Sequence, residues 1–153
     1  MSACVGIGYD SHRFGEDRLL IIGGVVIDYD RGLVGHSDAD VLTHAVIDAV
    51  LGAVGLEDIG SIFPDSDPIW QGADSIELLR TVVAMVRGRI ENIDATVICE
   101  EPKLGPYRAQ IVRILGDVTS ARVNVKATTN EGMGWIGRGE GIACMAVACV
   151  DVT

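Results

Sequence analysis

From Gly141 to Val152 the chain is almost wholly apolar and built largely from small residues. A run of this kind reads as a strand buried inside a sheet, so the expectation is a central strand covered on both faces. The rest of the chain must then supply partner strands and covering helices. Cys4 to Tyr9 and Leu19 to Ile27 are short and apolar, with Gly15-Glu16-Asp17 between them as turn chemistry, and they read as a strand pair. Val41, Leu42, Ala45, Val46, Ala49, Val50 and Val54 recur at helical spacing and predict a helix over Asp40 to Gly55. The segment 58–68 carries two prolines and three aspartates and reads as a loop.

A second helix is expected from Asp74, with Glu77 completing a capping box, to about Arg87. Ala95 to Glu100 reads as a strand. A third helix begins at Pro106 and ends near Gly116, and Arg122 to Thr129 alternates as a strand. The predicted order is β-β-α-α-β-α-β-β, an α/β (α+β) fold with a mixed sheet and helices against one face. No repeat or linker divides the 153 residues, which are read as a single domain over 1–153. At this size a site shared between subunits becomes attractive.

Charge narrows the partners. A formal net charge of −10 argues against nucleic acid or an anionic membrane, both of which demand a basic footprint. A small anionic substrate remains possible if metal ions and local cations offset the field. The two lysines, Lys103 and Lys126, both fall in segments read as site-lining. Cys4, Cys99, Cys144 and Cys149 lack CxxC spacing and read as small buried hydrophobes of a reducing compartment. With no leader and no apolar run of spanning length, a soluble, cytoplasmic protein is expected.

All three histidines sit in two short acidic segments, Asp10-Ser11-His12 and His36-Ser37-Asp38-Ala39-Asp40 followed by His44. Imidazole and carboxylate together suit a divalent ion such as zinc, and three protein ligands leave a position for substrate. Asp10 and His12 stand two apart, so on an extended strand end they point the same way. His44, on the predicted helix with Asp40 and Asp48 along the same face, is the better third ligand. The other chemical signal is the segment 126–141, with five glycines from Gly132 to Gly141, threonine hydroxyls and Arg138. Such a loop suits a phosphate or diphosphate, although it is neither a Walker loop nor a Rossmann fingerprint.

Together these stretches resemble the 2-C-methyl-D-erythritol 2,4-cyclodiphosphate synthase family of the non-mevalonate isoprenoid pathway. The resemblance is carried by Gly8-Tyr9-Asp10-Ser11-His12, Ile22-Gly23-Gly24, His36-Ser37-Asp38-Ala39-Asp40 and Asp58-Ile59-Gly60. Phe63-Pro64-Asp65, Gly72-Ala73-Asp74-Ser75, Asn124 to Thr129 and Gly137 to Gly141 continue it in the family's order. It implies a homotrimer of the single-activity form with active sites between subunits. It also implies conversion of 4-diphosphocytidyl-2-C-methyl-D-erythritol 2-phosphate to the cyclic diphosphate with release of CMP.

By that resemblance Asp10, His12 and His44 hold zinc and Glu131 helps hold a second divalent ion, magnesium or manganese. His36 and Thr129 stabilise the reacting phosphates, with Ser37 beside them. Asp58, Ile59 and Gly60 hold the ribose, and Phe63 and Asp65 border the methylerythritol. The cytosine pocket is formed by Cys99, Pro102, Lys103, Leu104 and Gly105 with Thr128. Asn130, Ile136 and Arg138 also line the substrate site. The chain departs from the family at Asn130-Glu131-Gly132 and at the bulkier Met133 to Ile136.

Simpler roles stand beside these. His36 could cap the following helix, Asp58 and Asp65 could be turn residues, and Arg138 could pair with Glu140 near a subunit axis. Two other functions use the same residues: a zinc-dependent nucleotide-diphosphate phosphohydrolase, and a non-catalytic trimer that binds isoprenoid diphosphates.

Overall fold

The computed structural model describes residues 2–152. Five strands form one sheet in the order β4-β1-β7-β5-β6: β4 (Gly32–Leu33), β1 (Ser2–Gly15), β7 (Gly141–Val152), β5 (Gly88–Ile98) and β6 (Arg122–Thr128). The apolar final run is the middle strand, antiparallel to β1 on one side and to β5 on the other. β5 and β6 run parallel and are joined through helix α4 (Arg108–Thr119), as a parallel pair requires. Helices α1 (Val41–Ala53) and α3 (Ser75–Met85) complete the layer over the sheet.

From Met145 onward only one face of β7 is covered. Ile142, Cys144, Ala146, Ala148 and Val150 are buried under the helices, whereas Met145 and Val147 on the other face are 43% and 40% exposed. The expectation of a strand covered on both faces is therefore corrected within the single chain. Val5, Ile7 and Tyr9 of β1 extend the same bare apolar stripe, pairing in register with Cys149, Val147 and Met145.

The predicted pairing of Cys4–Tyr9 with Leu19–Ile27 is also corrected. β1 pairs with β7 and β4, while residues 19–27 split into a separate hairpin, β2 (Leu20–Ile22) and β3 (Val25–Ile27). The cause is Gly23-Gly24, both at positive φ (60° and 77°), the backbone that a two-residue hairpin turn needs. The element order thus contains additional short pieces, among them α2 (Ile59–Ile62) within the segment read as a loop and α5 (Gly134–Gly137) within the glycine-rich loop. β5 begins seven residues before the expected Ala95, and α4 starts after a 3-10 turn at Gly105–Tyr107.

Two glycines bring sheet and helix together. A Cβ on Gly6 or Gly8 of β1 would collide with the α1 backbone at Ala49 and Ala45 respectively. Their absence of a side chain lets the helix lie directly on the strand, and this sets His44, next to Ala45, beside the following strand residue of the same face, Asp10. Asp40 caps α1, accepting the Thr43 N–H at 3.0 Å. The same buried carboxylate accepts Gly23 N–H at 2.9 Å, Gly24 N–H at 2.8 Å and the Thr43 hydroxyl at 2.8 Å. One side chain therefore ties the hairpin turn to the helix that carries His44.

Candidate active site and metal centre

The strand ends gather the chemistry at one edge of the sheet. His12 pairs with Ile142 and Asp10 with Cys144 at the start of β7, and Ile98 at the end of β5 pairs with Ala143. With one strand between them, the ends of β1 and β5 lie roughly 10 Å apart. Thr128 and the segment after it leave the sheet at the same edge, because Ile98 pairs with Thr128.

Asp10, His12 and His44 converge, each offering one ligand atom within 4.8 Å of the others. Asp10 Oδ2 lies 2.8 Å from His12 Nε2 and 3.2 Å from His44 Nδ1. It is nevertheless buried without a hydrogen bond of normal geometry, as expected of lone pairs aimed at a common centre rather than at one another. His12 Nδ1 is 2.9 Å from the Val34 carbonyl, which can only accept, so the proton sits on Nδ1 and Nε2 is left as a donor for metal. The residues fit a divalent ion. Burial opposes ionisation of Asp10, but His12 and His44 hold its carboxyl below the ordinary value. Burial likewise opposes a charge on His44, yet Asp10, with Asp40 and Asp38 beyond it, raises its pKa above the usual histidine range.

These three residues form part of a cavity of about 480 Å³ whose other walls include His36, Ser37, Asp48, Asp58, Ile59, Gly60, Phe63 and Asp65. Ten of the residues expected at the site are thus brought together from β1, the 35–37 loop, α1 and the α2 region. His36 Nε2 is buried without a partner among the described residues, and Asp40, not His36, caps the helix. Asp58 accepts the Ser61 hydroxyl at 2.6 Å, which holds its carboxyl below the ordinary value. Asp48 accepts the Ile59 N–H at 2.8 Å and so anchors this wall to α1. Phe63 is buried edge-on against Trp70, with ring centroids 4.9 Å apart.

The remaining expected residues do not line that cavity. Lys103, Leu104 and Gly105 line a smaller, mainly apolar one of about 290 Å³ with Arg108, Ile111 and Val125 to Ala127. Pro102 and Cys99 are buried, and burial pushes the Cys99 thiol up to about 11, which fits a packing role. Lys126 is ion-paired to Asp94 at 2.5 Å while also lining this pocket. Thr129, Asn130 and Glu131 form a tight loop with Glu131 at φ 55°, and Ile136 is turned inward. Glu100, which sequence reading passed over, accepts the amides of Asn130 at 3.0 Å and Gly132 at 3.1 Å. Nothing local marks that role, since the partners are thirty residues away.

Arg138 pairs with Glu140 at 2.6 Å, as one of the two readings expected. Both border a wider groove of about 750 Å³ with Arg13, Arg31 and Trp135. That groove shares only His12 with the metal cluster, so the smaller cavity is the better candidate for the chemistry. Among the described residues, no helix is long and apolar enough to cross a membrane.

Known proteins are similar to this chain in sequence and in fold. A 2-C-methyl-D-erythritol 2,4-cyclodiphosphate synthase from Clostridium acetobutylicum is 51% identical over 149 residues, 94% of this chain and 96% of that protein. The IspF of Plasmodium falciparum, solved as a CDP complex, superposes with a TM-score of 0.86 at 30% identity, covering 99% of this chain and 97% of the other. The bifunctional IspDF of Campylobacter jejuni gives a TM-score of 0.95 at 39% identity over 99% of this chain, which spans 43% of that longer protein. The sequence profile of the YgbB family matches residues 3–151, and the chain belongs to that family.

Proposed function

We propose that the chain converts 4-diphosphocytidyl-2-C-methyl-D-erythritol 2-phosphate to 2-C-methyl-D-erythritol 2,4-cyclodiphosphate, releasing CMP, in isoprenoid precursor synthesis. The observation that carries this reading is the convergence of Asp10, His12 and His44 beside the Asp58–Asp65 wall, in a chain half identical to a synthase of that name. The 2-phosphate oxygen forms a bond to the β-phosphorus, and the bond from that phosphorus to the CMP oxygen breaks. The nucleophile is already ionised, so the protein's contribution is positioning and charge, not a strong base.

Asp10, His12 and His44 would hold zinc and Glu131 would help hold magnesium or manganese; when bound, such ions offset the repulsion between phosphates. His36, with its free Nε2 in the cavity, donates toward the reacting phosphates, and Thr129 acts from the opposite side. Ser37 flanks them. Asp58, Ile59 and Gly60 take the ribose, Phe63 and Asp65 border the methylerythritol, and Ile136 and Arg138 complete the wall.

Cytosine is placed in the separate pocket at Lys103 to Gly105, with Cys99, Pro102 and Thr128 around it. Because the two cavities are separate in one chain, a homotrimer in which one subunit's metal ligands face the next subunit's base pocket is the arrangement we infer. Incubation with the diphosphocytidyl substrate, zinc and magnesium, followed by phosphorus NMR, tests the reaction. A cyclic diphosphate with an equal amount of CMP is expected; linear phosphates alone would overturn it.

A further inference from the structure

His44 differs from His12 in how its proton is placed. The acceptor for His12 is a backbone carbonyl, whereas His44 Nε2 lies 2.8 Å from the Ser75 hydroxyl and 3.0 Å from that of Ser37. A hydroxyl can donate or accept, so proximity alone leaves the tautomer of His44 open. Asp38 removes the ambiguity. Its Oδ1 takes the Ser75 hydroxyl proton in a short hydrogen bond, which leaves a lone pair of Ser75 Oγ facing His44. The carboxylate is itself held, since Oδ2 accepts the Ser75 N–H at 3.0 Å and Oδ1 accepts the Asp40 N–H at 3.2 Å. Further bonds, Asp38 N–H to the Ala73 carbonyl at 3.1 Å and Gly72 N–H to the His36 carbonyl at 2.8 Å, brace this loop against the start of α3.

We propose that Asp38 and Ser75 form a positioning relay that fixes the proton of His44 on Nε2 and so presents Nδ1, in a set orientation, to the divalent ion. Ser75 is fully buried at the first turn of α3, sixty residues beyond the end of β1 and in a different element from each of the three candidate ligands. The relay rests on the reading that Asp10, His12 and His44 hold an ion, and it assigns α3 a part in metal binding. Hydrogen bonds to the far nitrogen of a ligating imidazole orient the ring and raise its basicity, and their loss commonly weakens metal binding by about 10-fold to 100-fold.

The test is zinc affinity of the metal-free protein, measured by competition with a chromophoric chelator, together with the visible spectrum of the cobalt-loaded protein. Ser75→Ala and Asp38→Asn should each bind zinc about 10-fold to 100-fold more weakly and alter the cobalt spectrum. The double variant should fall within about twofold of the weaker single one, because the two act through one path. Ser37→Ala should cost less than Ser75→Ala. Unchanged zinc affinity in Ser75→Ala with only a lower melting temperature would make the contact merely structural and overturn the relay. A larger loss from Ser37→Ala would do the same, by moving the proton's partner to Ser37. Failure of the unaltered protein to take up zinc would instead remove the metal reading on which the relay stands.

Discussion

His44 joins the burial of α1 to the chemistry of the cavity, and its pKa gives the site a pH signature. The raised value means that, in metal-free protein, the proton on His44 contributes stability that is fully present below the ordinary pKa of 6.5 and is lost as pH rises through the folded value. Zinc competes with that proton, so its effect has the opposite sign. The difference in melting temperature between zinc-loaded and chelator-treated protein should therefore widen as pH rises from 6.5 through the elevated pKa. A difference that is flat across this range would separate His44 from the metal. His44→Ala should abolish tight zinc binding while leaving circular dichroism largely native; retention of one zinc per chain would sink the assignment. Glu131→Gln should keep zinc but require more magnesium or manganese for turnover, and an unchanged requirement would remove Glu131 from that role.

The cluster of Asp10, His12 and His44 was legible because Asp10 and His12 are two apart on a strand and His44 lies on a helix with strong apolar periodicity. Asp38, Ser75 and Glu100 were not, since their roles depend on partners brought near only by folding. Ser75 and Asp38 are thirty-seven residues apart.

At the level of elements, the contact of α1 with β1 is what assembles the site. Gly8→Ala would push a methyl group into the Ala45 carbonyl, and displacement of the helix should cost about 2 kcal/mol or more while weakening zinc binding. Denaturant unfolding and chelator competition on the same variant check both effects, and a wild-type result in either would contradict this coupling. Asp40→Ala removes one acceptor from four donors around the hairpin turn and the helix cap. A loss of about 3 kcal/mol or more is expected from the amides left without a partner, although burial raises the Asp40 pKa against those hydrogen bonds. A loss below about 1 kcal/mol would show that water replaces the carboxylate. The helices and the central strand were readable from periodicity and apolar content. The hairpin was missed because its six apolar strand residues read as one run across Gly23-Gly24, where backbone conformation overrides hydropathy.

For the whole molecule, the bare face of the sheet poses the main question. Val5 and Ile7 are 66% and 65% exposed beside Tyr9, Met145 and Val147. A contiguous apolar stripe of this kind favours association, and the proposed trimer closes it around an axis. Mixed assembly of His12→Ala subunits with subunits blocked in the pocket near Thr128 should restore activity if sites are shared. Background activity despite proven mixing would refute sharing. The central claim is the ring closure itself, in which no water oxygen enters the product. Turnover in oxygen-18 water, read by mass spectrometry of both products, tests it most directly. The account predicts CMP and a cyclic diphosphate that are both free of the label; label in either product, with a linear phosphate in place of the ring, would show hydrolysis and contradict it.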